Sequence, residues 1–140
     1  MSVSLRQAIS DDIVWLDGFY ESLMRPYVEL THEWDDTMFK ESFDPGKISI
    51  IQFDGKDIGM LKTEVREDHL FLCDIQIAKD YQGNGIGTSL VKQVIEDGRN
   101  KGLMVRLRVL KGNPAIRLYE RLGFAEFEVL DNCIELVRKA

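Results

Sequence analysis

A glycine-rich segment between a predicted strand and a predicted helix is the part of this sequence best suited to bind an anion. It reads Gln-Gly-Asn-Gly-Ile-Gly-Thr from Gln82 to Thr88. The first amide N–H groups of a helix have no intrahelical partner, and glycines let the backbone curl closely around a phosphate. Three glycines at alternate positions are more than a plain strand-to-helix turn requires. The segment therefore predicts a phosphate-binding loop, with a simple turn as the alternative.

The spacing of these glycines disfavours two common nucleotide-binding motifs. A Walker loop requires GxxxxGK followed by Ser or Thr, and no lysine follows the glycines before Lys92. A dinucleotide fingerprint, GxGxxG, would require glycine in place of Thr88 or Leu90. The strand before the loop also belongs to a predicted antiparallel meander and does not open a βαβ unit. Nucleotide hydrolysis and dinucleotide binding are therefore poor fits.

A second segment with recognisable spacing runs from Asn113 to Phe124 and reads Asn-Pro-Ala-Ile-Arg-Leu-Tyr-Glu-Arg-Leu-Gly-Phe. Its Asn-Pro start predicts a helix with a capping residue and a proline at the first position, and Gly123 predicts the end of that helix. Tyr119 lies within it at helical spacing from Ala115 and Leu122. By spacing alone, Tyr119 is read as a core aromatic residue.

The elements that must position these segments form a mixed α/β sheet in the order β-α-α-β-β-β-α-β-α-β-β. Strands are predicted at 3–8, 47–53, 58–66, 69–77, 104–110, 124–130 and 133–138. Four helices are predicted: one after Asp11-Asp12, one over about 35–43, one that starts at Ile86 and one that starts at Asn113. Pro26 should end or bend the first helix. The Asp54-Gly55 pair predicts a tight hairpin. Because strand 104–110 follows a helix, it can join strand 69–77 in parallel through a right-handed crossover, in an otherwise mostly antiparallel sheet.

The composition of the chain predicts one globular domain over residues 1–140. Hydrophobic residues make up 44% and charged residues 30% of the sequence, which is typical of soluble proteins that fold without disulfides or metal. The net charge of −6 argues against nucleic-acid binding, because phosphate neutralisation needs clustered basic residues. No basic and apolar leader and no membrane-spanning run is visible, so we expect a cytoplasmic protein with no membrane partner.

The cysteines and histidines predict no metal site. Cys73 and Cys133 form no CxxC pair, and His32 and His69 are the two histidines of the chain. Cys73 lies in an apolar stretch and is therefore interpreted as a packing residue. So few nitrogen and sulfur ligands leave almost nothing from which a zinc site can be built.

Both segments resemble signatures of the GNAT N-acetyltransferase superfamily. The Gln82-x-x-Gly85-x-Gly87 pattern is similar to its acyl-coenzyme A signature, Q/R-x-x-G-x-G/A, and it follows a strand as expected. The segment that begins at Asn113 is similar to the second signature, N-x-x-A-x-x-L-Y-x-x-x-G-F. The predicted element order matches that fold along nearly the whole chain. The resemblance implies an acetyl-coenzyme A-dependent N-acetyltransferase that needs no metal.

The resemblance also implies roles for individual residues toward the co-substrate. The strand around Ile75 and Ile77 would pair with the pantetheine amides, the glycine-rich loop would hold the pyrophosphate, and Asn113 would hydrogen-bond the cofactor arm. The Tyr119 hydroxyl would protonate the departing thiolate as general acid. The implied cofactor-binding residues are Ile75, Gln76, Ile77, Gln82, Gly83, Asn84, Gly85, Ile86, Gly87, Thr88 and Asn113.

The attacking amine must lose a proton, because an alkyl ammonium has a pKa of about 10.4. Asp74, which interrupts an otherwise apolar strand, is the candidate base. The family often carries its acidic residue one place earlier, where this chain has Cys73. The alternative is that Asp74 is a polar strand residue with a structural hydrogen bond.

The acceptor implied by the resemblance is a primary amine of a small molecule or of a peptide or protein. Glu29, Glu33 and Trp34 are candidates for a cation-receiving wall, and the alternative is a solvated acidic loop with one buried tryptophan. Two other functions stay open: a non-catalytic acetyl-coenzyme A sensor and a transferase of another acyl group. Homodimers are common in the family, so the sequence leaves monomer and homodimer open.

Overall fold

The computed structural model describes residues 2–139, in which seven strands and four α-helices alternate in the predicted order. The elements are β1 (Val3–Gln7), α1 (Ile13–Val28), α2 (Met38–Ser42), β2 (Ile48–Phe53), β3 (Lys56–Val65), β4 (His69–Ile77), α3 (Ile86–Asn100), β5 (Met104–Leu110), α4 (Ala115–Arg121), β6 (Ala125–Val129) and β7 (Cys133–Arg138). Within the described residues, no helix combines the length and the apolar character needed to cross a membrane.

The strands form one sheet with the order β1-β2-β3-β4-β5-β7-β6. The β1–β2, β2–β3, β5–β7 and β6–β7 pairs are antiparallel. The β4–β5 pair is parallel, and its ladder joins residues 69–72 of β4 to residues 104–107 of β5. The later residues of β4 lie outside this ladder. The predicted fold class, a mostly antiparallel mixed sheet with one parallel pair, is therefore confirmed.

The chain forms two compact units. The first unit contains the chain through Lys62 together with Asp74–Gln82, and the second contains Thr63–Cys73 and the chain from Gly83 onward. The sequence-based expectation of a single domain over residues 1–140 stays a prediction.

The core of the first unit is an apolar layer between helices α1 and α2 and one face of strands β2 and β3. Ile48 and Ile50 alternate along β2, and Ile50 lies opposite Met60 of β3, so the three side chains share a face. Leu16 of α1 and Phe39 of α2 are buried against them. The aromatic residues that complete this layer are Trp15, Phe19, Tyr20 and Phe43.

The start of α1 is tied to β1 by a buried carboxylate. Asp12 is 6% exposed and accepts hydrogen bonds from both terminal nitrogens of the Arg6 guanidinium, at 2.9 and 3.0 Å. It also accepts a bond of 2.9 Å from the indole N–H of Trp15. These bonds hold the pKa of Asp12 well below its usual range, the Arg6 hydrogen bond being the largest cause.

Both helices of the first unit differ in length from the prediction. Helix α1 continues through Pro26 to Val28, so of the two predicted effects of this proline, an end or a bend, the end does not occur at Pro26. The proline lies in the last turn, where its missing N–H removes a single backbone bond. Helix α2 starts at Met38 and not near residue 35, because the Asp35 carboxylate accepts bonds from the N–H and hydroxyl of Thr37 and forms a turn there.

Two features of the β2–β3 hairpin, its turn and a close approach to β4, require particular residues. Asp54 and Gly55 have φ values of 49° and 83°, as a type I′ turn requires, which confirms the predicted hairpin. Further along β3, a Cβ atom at Gly59 would lie 2.1 Å from the carbonyl oxygen of Gln76 in β4. Only glycine permits this approach of the two backbones.

The second unit is built around α3 and β5. The predicted apolar stripe of α3 is buried, and Gly102 (φ 69°) follows the last turn as predicted. Val105, Leu107 and Val109 alternate on the buried face of β5. The buried residues of the α3 stripe are Ile86, Leu90, Val91, Val94 and Ile95.

Candidate functional site

The glycine-rich loop of the second unit leads into α3 without a capping side chain. Gly83 and Gly85 have φ values of 81° and 80°, which is the left-handed region that favours glycine. Gly85 is the N-cap residue, and the first helical bond runs from the N–H of Ser89 to its carbonyl oxygen at 3.0 Å. The backbone amides that precede this bond belong to Ile86, Gly87 and Thr88.

Open space surrounds the two left-handed glycines. A Cβ atom at Gly83 or Gly85 would meet no heavy atom within 4 Å. Ile86, which is 5% exposed, anchors the start of the helix in the core, while Asn84 is exposed. A ligand can therefore approach the backbone of the loop. The start of the helix is fixed, and its first N–H groups can donate to an anion.

Gln82, the first residue of the predicted loop segment, and the end of strand β4 before it belong to the first unit. The side-chain amide of Gln82 donates a hydrogen bond of 2.8 Å to the carbonyl oxygen of Ile77, the last residue of β4. Gln82 therefore fastens the chain that leaves the strand. A carbonyl oxygen accepts up to two bonds, so the one on Ile77 keeps a second acceptor position. Ile75 and Gln76 precede it in the part of β4 that lies outside the parallel ladder.

Asn113 lies just before helix α4 of the second unit, and Tyr119 lies within that helix. The side-chain oxygen of Asn113 accepts a bond of 2.9 Å from the N–H of Ala115, the first residue of the helix, and its amide NH₂ is the group suited to a ligand. Tyr119 is 6% exposed, and its ring lies edge-to-face on Phe124 with centroids 5.8 Å apart. The ring is thus a core aromatic residue, and the role of its hydroxyl stays a prediction.

Asp74 of the first unit is a partly buried carboxylate held by a neighbour on its own strand. It accepts a hydrogen bond of 2.7 Å from the side-chain amide of Gln76, which lies on the same face two residues later. Burial raises the pKa of Asp74 to about 6, although the Gln76 hydrogen bond and the charge of Lys62 lower it. A carboxyl group with this pKa is ionised at neutral pH and is more basic than a solvated aspartate.

Asp74 lines a cavity of about 50 Å³ that lies wholly within the first unit. Its walls come from α1, α2 and strands β2, β3 and β4. Tyr20 faces the same cavity, and burial together with the charge of Asp74 raises the pKa of its phenol. The lining residues are Tyr20, Met38, Phe39, Ser42, Phe43, Ile48, Met60, Lys62 and Asp74.

Sequence reasoning did not identify Tyr20 and Lys62 as residues of this cavity. Lys62 follows Met60 by two positions, so strand alternation places both on the core face, and this signal was available. The approach of α1 and α2 to that face depends on long-range packing, which no local pattern specifies. Asp74 was predicted, but its contact with Gln76 was not.

The structure does not bring the predicted acceptor wall to the cavity. Glu29 is exposed and accepts from the guanidinium of Arg25 at 3.2 Å, and Glu33 is exposed. Trp34 is partly buried, with its ring 6.2 Å from that of Tyr20, and its indole N–H has no hydrogen-bond partner in the described residues. Substrate contact by Glu29, Glu33 and Trp34 stays a prediction.

Three comparisons with known proteins bear on this geometry. The model of the acetyltransferase (GNAT) family matches residues 16–124. An uncharacterized N-acetyltransferase of Methanocaldococcus jannaschii is 29% identical over 157 aligned positions, covering 97% of this chain and 66% of that protein. Thialysine N-epsilon-acetyltransferase of Mus musculus is 44% identical over 57 residues, covering 39% of this chain and 34% of that enzyme.

A solved structure extends the similarity over the whole chain. The PaiA N-acetyltransferase of Thermoplasma acidophilum, in complex with coenzyme A, superposes with a TM-score of 0.80 at 18% identity, with full coverage of both chains. At this identity the likeness shows the fold. This chain spans less than two thirds of the length of the two curated relatives above. Because the family model covers most of the sequence and carries both signature segments, the chain belongs to the acetyltransferase (GNAT) family.

Proposed function

We propose that this protein transfers the acetyl group of acetyl-coenzyme A to a primary amine by direct attack. Family membership supports acyltransferase activity, and both curated relatives are named as N-acetyltransferases. The observation that carries the proposal is the N-terminus of α3, where a left-handed glycine replaces a capping side chain and leaves open space. A diphosphate needs such a cluster of accessible N–H donors.

The proposed cofactor roles follow from the groups that each segment offers. Backbone amides of the loop after Gly85 donate to the diphosphate. The β4 residues Ile75 and Ile77 offer main-chain groups beyond the parallel ladder to an extended amide-containing arm. Gln76 and Gln82 support that strand end through their side chains, and Asn113 offers its amide NH₂. When bound, acetyl-coenzyme A supplies an activated thioester.

The proposed proton transfers use the side chains of Asp74 and Tyr119. Asp74 accepts the proton that the amine must lose, directly or through water, because its carboxylate is ionised above about pH 6. The Tyr119 hydroxyl donates a proton to the departing thiolate sulfur. The chain forms no covalent bond to the acetyl group in this scheme, since the amine itself is the nucleophile.

The proposed acceptor is a primary amine at the end of a slender chain. The name of the mouse relative refers to acetylation of an N-epsilon amine on thialysine. In this chain, the cavity beside Asp74 has aromatic walls and a volume of about 50 Å³. It admits an aminoalkyl group more readily than a ring.

The test is to follow free thiol while the protein, acetyl-coenzyme A and a panel of amines are incubated. The panel contains amino acids, polyamines, aminoglycosides and lysine peptides, and calorimetry measures coenzyme A binding in parallel. We expect cofactor binding and thiol release with at least one amine. Cofactor binding without thiol release across the panel would favour a sensor, and absence of coenzyme A binding would contradict the whole assignment.

A further inference from the structure

The cavity of the first unit contains two opposite charges that do not touch. Asp74 and Lys62 are its two charged lining residues. The charge of Lys62 acts on Asp74 through space, but within the described residues Lys62 forms no ion pair at 4.0 Å or less. The carboxylate is bonded to Gln76 and not to the ammonium.

Lys62 is placed to meet an anion that enters the cavity. Its side chain is partly buried, on the same face of β3 as the core residue Met60 and opposite Ile48 of β2. An ammonium without a direct carboxylate partner can form a charge-assisted hydrogen bond with an anion that enters the cavity. The hydroxyl of Ser42, which also lines the cavity, donates to the backbone carbonyls of Met38 and Phe39.

We propose that this cavity selects amines that carry a carboxylate a few bonds from the amino group, and that Lys62 binds that carboxylate while Asp74 receives the amine. This inference rests on the proposed function and specifies its substrate class. The acceptor is then a small amino acid of the ω-amino or α-amino type. Lys62 is a specificity residue, and it takes no part in the proton transfers.

The size and charge of the cavity favour this class over polyamines. At 10–15 Å³ of such volume per water, the space holds roughly three to five groups of water size. The aromatic rings of Tyr20, Phe39 and Phe43 line it and favour a short methylene chain. A second ammonium on the substrate would meet Lys62 and be repelled, whereas a carboxylate would form a charge-assisted hydrogen bond.

The experiment compares three substrates that differ at the far end of one chain. They are β-alanine, n-propylamine, which has a methyl group in place of the carboxylate, and 1,3-diaminopropane, which ends in a second ammonium. Thiol release at saturating acetyl-coenzyme A gives kcat/KM for each. We expect β-alanine to exceed n-propylamine by about ten- to one-hundredfold, the value of one hydrogen bond to a charged group, and the diamine to be the poorest.

Variants at position 62 test whether the Lys62 ammonium causes the preference for β-alanine over n-propylamine. Lys62→Met, which keeps the chain length without the charge, should bring the ratio of β-alanine to n-propylamine close to one, and Lys62→Arg should preserve the preference. Lys101→Met, at an exposed lysine just after α3, is the matched control and should leave the ratio unchanged. Equal use of β-alanine and n-propylamine by the unmodified protein, or an unchanged ratio in Lys62→Met, would overturn the inference.

A binding measurement separates this inference from the proposed function. Calorimetry with β-alanine, in the presence of coenzyme A, is done on the unmodified protein and on Lys62→Met. If no amine releases thiol, the proposed transfer fails, yet β-alanine binding that is lost in Lys62→Met still supports the carboxylate site. If n-propylamine is acetylated and β-alanine neither reacts nor binds, transfer stands and the carboxylate site is refuted.

Discussion

At the scale of single residues, the proposed chemistry depends on two side chains whose surroundings differ. Asp74 is partly buried, held by Gln76 and close enough to Lys62 and Tyr20 to share their electrostatic environment. Tyr119 is buried in the second unit with its ring against Phe124. Both residues were singled out from the sequence, but the groups around Asp74 were not. The contact with Gln76 was not predicted, and Tyr20 and Lys62 come from helix α1 and strand β3, which are distant in sequence from Asp74.

The raised pKa of Asp74 predicts the acid limb of the pH profile. A base must be deprotonated, so kcat/KM should fall with decreasing pH below about 6 and level off above it. Asp74→Asn should lower turnover at neutral pH by about a hundredfold or more and remove this inflection. Asp97→Asn, at an exposed residue of α3, is the control. An acid limb that persists in Asp74→Asn would remove Asp74 from the role of base.

Removal of the Tyr119 hydroxyl tests the general acid without disturbing the ring. Tyr119→Phe keeps the edge-to-face contact with Phe124, so we expect the variant to fold and its coenzyme A affinity to change little. Turnover should fall by about a hundredfold, the lower range for loss of a general acid. Tyr27→Phe in α1 serves as the matched control. Unchanged turnover in Tyr119→Phe would leave the residue with a packing role alone.

At the scale of elements, the proposed diphosphate site depends on the entry into α3. Gly85→Asn keeps a residue type that tolerates the left-handed conformation, but its side chain enters the open space in front of the helix. We expect coenzyme A affinity to fall by at least about tenfold, since lost charge-assisted bonds are worth about 1.5–3 kcal/mol. Calorimetry measures the change.

The same helix provides the control for that variant. Gly102, after the last turn of α3, has φ 69° and open space around its Cβ position. Gly102→Asn therefore repeats the backbone demand of Gly85→Asn away from the proposed phosphate site. Coenzyme A binding that weakens equally in both variants would indicate a general effect on α3 and not a block of the diphosphate.

The elements show which local patterns were sufficient. The Asp54-Gly55 turn, the apolar stripe of α3 and the glycine after it all follow from backbone preferences and periodicity, and they were predicted correctly. The start of α2 was missed because a side-chain turn at Asp35 competes with the helix. The cavity was missed because its walls come from five elements far apart in sequence.

At the scale of the whole molecule, the open question is whether the two compact units unfold together. Trp15 and Trp34 are the two tryptophans of the chain, and both lie in the first unit. Tryptophan fluorescence therefore reports the first unit, while far-ultraviolet circular dichroism also reports α3 in the second. The sequence-based prediction of one domain requires the two thermal transitions to coincide.

Coenzyme A binding gives a second test of whether the two units unfold together. At a free concentration about one hundred times its Kd, a ligand of the folded state stabilises it by about 2.7 kcal/mol, or roughly 5–10 °C in Tm for a chain of this size. In a cooperative domain, both transitions should move upward by the same amount. A shift seen by circular dichroism alone would show that the units respond independently.

The contact between β3 and β4 at Gly59 also has an evolutionary consequence. Any larger residue there would press its Cβ atom into the Gln76 carbonyl, whereas Gly18 in α1 is exposed and faces open space. Gly18→Ala should raise the free energy of unfolding by about 0.5–1 kcal/mol, while Gly59→Ala should lower it, as chemical denaturation can measure. A randomised library selected for folded protein would accordingly retain glycine at codon 59 and discard it at codon 18.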